Sequence, residues 1–258
     1  MGWRTGASTL IAALHLPSAA WACFGICVTD LVDDADTGNG TCTLREAIRA
    51  ANLNVAVDAC RAGRSTQRDR VVLRAGTHVV DLANGTGENA ALNGDLDVDS
   101  DMEIVGVASD LTIVDGQSAT STERVFHVLD GADDVIFRDL TMRGGSEVGA
   151  NGIGGNLLNE EISMGGSVLL VDVVVEDGLA ARGGGIFNFG PLRLVRVEVA
   201  NNHTTVDAMN AMNDGGGIAS MGPLVIEDSH VHDNTADDDG GGVWAGFGSL
   251  DLVRTQLR

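Results

Sequence analysis

The sequence predicts an all-β solenoid, a parallel β-helix capped at its N-terminal end by one α-helix. Three observations point there. The stretch GGGIFNFGPLRLVRVEVANN at Gly183–Asn202 returns as GGGIASMGPLVIEDSHVHDN at Gly215–Asn234 and starts again at Gly240. Each copy holds short apolar runs that alternate with period two, as strands with one buried face do. A single amphipathic segment, Thr41–Asn54, stands ahead of all the repeats.

The repeats dictate stacking. In the clearest copy the runs are Ile186–Phe187, Leu192–Val195 and Val197–Val199, with Leu192 and Leu194 on one face and Arg193 on the other. No copy can bury its inner face alone, so copies must pile into a solenoid. Val175 to Val199 is 24 positions, Val199 to Val231 is 32 and Val231 to Leu257 is 26. The longer interval contains an insertion, Val206–Asn213, that belongs in a loop leaving the stack. A looser copy lies at Gly154–Gly178, and Val135–Gly145 matches Val168–Gly178 across 33 positions. The glycine triplets suit a corner where φ is positive. Asn202 and Asn234 fall at equivalent turns, where stacked amides would bond along the axis, and Gly178 is expected to break that ladder. Upstream, Val71–Leu73, Thr77–Leu82, Leu96 with Val98, Met102–Val105, Leu111–Val114 and Val125–Leu129 read as earlier strands, giving roughly seven coils and a rod on the order of 30–35 Å long.

Composition narrows the partners. The formal net charge of −21 over 258 residues disfavours nucleic acid and anionic membranes. There is no Lys, so the glycine triplets are not phosphate loops. With 3% aromatic residues the core must be aliphatic.

Residues 1–22 read as a signal peptide: Arg4, an apolar run Leu10–Leu16, and Ala20-Trp21-Ala22 as the small-x-small cleavage pattern. Export to the cell surface or medium is therefore expected, with no later membrane-spanning segment. Residues 23–70 form the cap region and 71–258 the β-helix, which is expected to continue beyond Arg258 because the chain stops inside a coil. Export makes disulfides plausible. Of the three possible pairings, Cys42–Cys60 with Cys23–Cys27 close the most local loops. Thr43 and Glu46 form a capping box, and Leu44, Ala47, Ile48 and Ala51 share one helical face. Such a helix suits the open end of the stack.

TCTLREAIRAAN resembles the CSLREA motif of exported bacterial proteins, with Cys42, Leu44, Arg45, Glu46 and Ala47 matching. VVLRAGTHVVDL, GDLDVDSDMEIVG and the GGGI repeats are similar to that family too, so the likeness covers roughly Cys27 to the C-terminus. The resemblance implies a right-handed, pectin-lyase-like β-helix on a secreted or surface protein, and no single activity.

Several side chains are candidates for chemistry. Asp95, Asp97 and Asp99 point outward from one strand and offer hard oxygen ligands for Ca²⁺. At about 6.6 Å between alternate residues they cannot share one ion without further ligands. Asp237, Asp238 and Asp239 precede the third glycine triplet, and Asp214 precedes the second, a second Ca²⁺ candidate set. His230 and His232 share a face and would suit Zn²⁺ with a third ligand, Asp233 being turned away. Asp133 and Asp134 are the nearest thing to a glycosidase pair, and read more simply as turn residues. Arg138, Arg193 and Arg196 face outward, with nothing to single one out as a base. The sequons at Asn39, Asn84 and Asn202 read as chance.

With no convergent catalytic set visible, the leading expectation is a non-enzymatic, adhesin-like surface module binding polysaccharide or a surface partner. The alternative is a polysaccharide lyase or glycoside hydrolase acting on acidic glycans through a carboxylate and Ca²⁺ site. Ca²⁺ serving only to stabilise the rod is the third reading.

Overall fold

Alternating apolar runs, repeated at coil intervals, stack in register as parallel strands. The computed structural model describes residues 23–35, 38–81, 89–117, 123–148, 152–160, 166–205 and 213–258. The expected signal peptide, the Asn84 sequon and the insertion up to residue 212 lie outside the described residues.

Three long parallel sheets form the walls of a right-handed β-helix. One has eight strands, beginning with Ile26–Cys27 and Asp69–Val72 and ending with Leu250–Val253. A seven-stranded sheet runs from Gly76–Val79 to Gln256–Leu257, and a six-stranded sheet from Leu96–Val98 to Val243–Ala245. A short three-stranded sheet, Ser146–Glu147, Leu179–Ala180 and His203–Thr204, fills one corner. The coil intervals read from the sequence are the register itself: Val175 pairs with Val199, Val199 with Val231 and Val231 with Leu257.

The core is a column of mainly aliphatic side chains, into which Phe126 and Phe137 pack as a tilted ring pair, so it is not wholly aliphatic as the low aromatic content suggested. Val71, Ile104, Phe137, Leu170, Leu194 and Ile226 are all fully buried. The turn leading from the eight- to the seven-stranded sheet repeats a left-handed residue that is not glycine: Asp139, Asp172, Arg196, Asp228 and Arg254, with φ of 55°, 55°, 54°, 49° and 50°. Asp tolerates this region better than most residues. The arginines gain ion pairs there, Arg196 with Asp172 at 2.6 Å and Arg254 with Asp228.

The first glycine of each triplet takes positive φ, 61° at Gly183 and 69° at Gly215. A Cβ on Gly183 would lie 2.3 Å from the Ile186 carbonyl oxygen, so both conformation and space demand glycine there. The asparagine ladder runs as expected from Asn234 to Asn202, whose amide donates to Asn234 Oδ1 at 2.9 Å. Gly178 does not end it. The room left by its missing side chain admits Asn156, which reaches Asn202 Oδ1 at 3.2 Å, and the Gly178 amide donates to the same oxygen at 2.9 Å. A second internal ladder, Asn159 to Asn188 to Ser220, is fully buried and was not read from the sequence.

The helix Leu44–Leu53 closes the N-terminal end. Thr43 and Glu46 make both bonds of the capping box, and Asn54 ends the helix in the left-handed region. Ala47, Ile48, Ala50 and Ala51 are fully buried and continue the solenoid core. Disulfides join Cys23 to Cys27 and Cys42 to Cys60, the second tying the helix start to the loop that follows it. Among the described residues no helix is long and apolar enough to cross a membrane.

Candidate active site

The six-stranded sheet presents one line of side chains outward, one per coil. Register places Asp97 beside His127, then Leu158, Phe187, Ala219 and Trp244. Their strand neighbours, such as Leu96, Val98, Phe126 and Val128, point into the core. The line is polar at the helix-capped end and apolar beyond it. Leu158, Phe187 and Ala219 form a small cluster separate from the main core, joined by Ile153, Met221 and Trp244. Arg182 lies 5.3 Å over the Phe187 ring and Phe189 packs against it.

The polar end is a convergent site. Asp97 is fully buried, and Asp95 and His127 are nearly so. His127 Nδ1 lies 3.3 Å from Asp97 Oδ1 and 4.0 Å from Asp95 Oδ2. One ligand atom from each of the three residues falls within 4.8 Å of the others, the spread one metal ion spans. The histidine, one coil further on, adds a third ligand atom to two carboxylates that the bend before the strand already brings within reach of one ion. Arg124 donates to Asp95 Oδ2 at 2.8 Å and lies 3.4 Å from Glu147. Glu160 stands at the outer edge, its Oε2 3.1 Å from His127 Nε2. The Ala91 amide donates to Asp97 Oδ2 at 2.9 Å.

Among the described residues, Asp97 Oδ1, His127 Nε2 and Arg124 Nε are buried without a hydrogen bond of good geometry, the first two being held by ion pairs alone. The contacts of His127 with Asp97 and Glu160 are within ion-pairing distance. Unpaired buried polar atoms are costly, and of these Asp97 Oδ1 is the one that faces the His127 nitrogen of the three-residue set; Arg124 Nε is a cation's donor and would not ligate a metal.

Environment separates the protonation states. Burial opposes the charge on His127, but the close approach of the Asp97 and Glu160 carboxylates outweighs it and raises the imidazole to about 9. Burial raises Asp95 and Glu147 above the usual carboxylate range, against the pull of Arg124. Burial also raises Glu123, helped by Asp95 and Glu147. His127 holds Glu160 below its ordinary value.

The other candidates do not converge. Asp99 is exposed and lies outside the cluster, its amide bonded to Asn52. Asp237, Asp238 and Asp239 are exposed, and the nearly buried Asp214 accepts from the Asp239 amide at 3.3 Å rather than joining them. His230 and His232 stack with centroids 4.1 Å apart. Asp233 is not turned away: its φ of 53° swings the carboxylate back to 2.7 Å from His232 Nδ1, and Glu198 meets Nε2 at 3.0 Å. Arg138, Arg193 and Arg196 are engaged by Glu103, Glu227 and Asp172, and Asp134 by Arg68.

The expectation of a non-catalytic, adhesin-like module is therefore corrected. It rested on the lack of a convergent set, and Asp95, Asp97 and His127 with Arg124 supply one. Sequence reading missed His127, Arg124, Glu147 and Glu160. The signal for His127 was available in the match of Leu-Asp-Val at 96–98 to Phe-His-Val at 126–128.

No protein-family model matches the sequence, and no curated protein gives a significant sequence match. Three solved structures resemble it. Pectin methylesterase PemA from Erwinia chrysanthemi aligns at 10% identity and TM-score 0.35, over 78% of this chain and 64% of that one. The carrot pectin methylesterase aligns at 14% identity and TM-score 0.39, over 88% of this chain and 82% of that one. The Aspergillus niger pectin methylesterase gives 12%, 0.34, 88% and 84% in the same order. This chain thus spans less than two thirds of the Erwinia protein. These likenesses are of fold and not of reaction.

Proposed function

We propose that this chain is an exported enzyme that cleaves an anionic polysaccharide at the Asp95, Asp97 and His127 cluster, with a divalent cation held there. The supporting observation is the buried, under-satisfied set of two carboxylates and an imidazole at one end of an outward line that continues into Leu158, Phe187 and Trp244. Metal-ligating groups and a proton donor then share one wall, which the buried Leu158, Phe187 and Ala219 stiffen and on which Trp244 is partly exposed.

Electrostatics ties cation and substrate together. Around Arg124 and His127 stand Asp95, Asp97, Glu123, Glu147 and Glu160, an excess of negative charge that repels a uronate. A divalent ion offsets this excess and attracts a sugar carboxylate. The imidazole nitrogen favours Zn²⁺ or Mn²⁺ over Ca²⁺, which prefers an all-oxygen shell. Ligation requires His127 without its proton on the bound nitrogen, so ion and proton compete.

The chain's own residues divide the proton work. Glu147, raised by burial, suits donation to a leaving glycosidic oxygen, whereas Asp95 would serve as a carboxylate ligand of the ion. Glu160, held ionised and 40% exposed at its side chain, suits acceptance from water or a sugar carbon. Arg124 holds Asp95 and Glu147 in place.

The test is to incubate the mature protein with uronate-containing and neutral polysaccharides, with Zn²⁺, Mn²⁺ or Ca²⁺ and with chelator. New reducing ends or unsaturated products on a uronate substrate, abolished by chelator and by Asp97→Asn, are expected. Cleavage that Asp97→Asn leaves intact, or none on any substrate by folded protein, contradicts the proposal.

A further inference from the structure

We infer that Arg45 and Asn52, on the capping helix, are positioning residues that fix the backbone carrying Asp95 and Asp97; this rests on the reading of that cluster as the functional site. The strand Leu96–Val98 is the edge of the six-stranded sheet, with a strand partner on one side only. Its other edge faces the helix Leu44–Leu53. Unpaired backbone groups on such an edge must find partners or leave the strand free to shift.

Two helix side chains supply them. Arg45 Nη2 donates to the Gly94 carbonyl at 2.6 Å and Nη1 to the Asp95 carbonyl at 3.1 Å. Asn52 Nδ2 donates to the Asp97 carbonyl at 2.8 Å, and its Oδ1 accepts from the Asp99 amide at 3.0 Å. Residues seven apart on a helix share a face and lie about 10 Å apart along its axis. The carbonyls that Arg45 and Asn52 meet lie on either side of Leu96, those of Gly94 and Asp95 in the bend before the strand and that of Asp97 within it.

The clamp is rigid at its base. Arg45 is fully buried, and its guanidinium forks onto Asp33 with Nε–Oδ1 at 2.7 Å and Nη2–Oδ2 at 2.8 Å. Asp33 Oδ2 also accepts from the Asp81 amide. The charge is thus neutralised, and the remaining donors are free to hold carbonyls. The helix itself is pinned by its capping box and the Cys42–Cys60 bond. Holding the main chain on both sides of Leu96 sets where the flanking carboxylates stand relative to His127 on the next strand. The Leu-Arg-Glu-Ala segment is in this reading part of the site's support and not only a lid on the core.

The test uses Asn52→Ala, whose side chain is only partly buried, with Asn52→Ser as the second variant should the first not fold. Amide exchange at Asp99 reports that the bond is broken. Two readouts follow: Zn²⁺ and Mn²⁺ affinity by calorimetry, and the imidazole ¹⁵N shifts of His127 at fixed pH without metal. The inference predicts affinity weakened about 10- to 100-fold and displaced His127 shifts, with amides of the coils beyond Leu192 unmoved. Faster Asp99 exchange with unchanged His127 shifts would show a purely structural cap and overturn it. Wild-type protein that binds neither ion sinks the metal reading alone, and the His127 shifts then decide the positioning role.

Discussion

Asp97 and His127 face each other across adjacent parallel strands, Oδ1 3.3 Å from Nδ1, both buried and neither aligned with a full set of partners. Asp95, Arg124 and Glu160 close around them. A buried pair like this titrates with consequences for stability.

In metal-free protein the His127 imidazole is raised from 6.5 to about 9, facing Asp95, Asp97, Glu160 and Arg124. A raised histidine stabilises the fold fully below its unfolded value near 6.5, and that stabilisation is lost as pH rises through about 9. The shift corresponds to about 3 kcal/mol. Chemical denaturation with chelator at pH 6 and at pH 10 should show this loss in wild type and a much smaller one in His127→Gln. Equal slopes in the two proteins would refute the charged pairing.

His78 should act in the opposite sense. It is buried, and desolvation lowers its pKa despite the bond from its ring to the Arg74 carbonyl. Its contribution is present above pH 6.5 and is lost as pH falls below that value, because the unfolded chain takes up the proton first. His78→Gln should flatten the stability profile just below pH 6.5. An unchanged profile there would contradict the assignment.

Asn202 should be a stability hot spot far from the site. Its amide donates to the Val175 and Ala200 carbonyls and to Asn234, and its Oδ1 serves Gly178 and Asn156. Asn202→Ala strands several buried groups and is expected to cost about 3 kcal/mol or more, read as a drop in denaturation midpoint. A cost under about 1 kcal/mol would mean the ladder is dispensable.

The Cys42–Cys60 bond closes a loop with a sequence separation of 18 and anchors the helix. Replacing both with Ser should cost about 3 kcal/mol and raise amide exchange first in Leu44–Leu53. Uniform exchange across all coils would show that the cap does not unfold as a unit.

The solenoid was legible because its signal is redundant. Register such as Val175 with Val199 is a repeat interval, and the capping box is a local pattern at Thr43 and Glu46. The site was less legible because it is built across coils. Asp95 and Asp97 were visible as a pair on one strand, but burial by the surrounding chain and the approach of His127, Arg124 and Glu160 depend on which coils stack. Asn156 reaching past Gly178 and Asp233 folding back on His232 failed for a related reason. Both depend on backbone geometry at one turn, which residue type alone does not reveal.

The most direct measurement is calorimetric titration of metal-stripped wild type and Asp97→Asn with Zn²⁺, Mn²⁺ and Ca²⁺ at pH 7. The account predicts one tightly bound transition-metal ion per wild-type chain, proton release on binding, weaker Ca²⁺, and near-complete loss in a folded Asp97→Asn. No saturable binding by folded wild type, or equal binding by Asp97→Asn, would contradict the claim that this cluster is a metal-dependent functional centre.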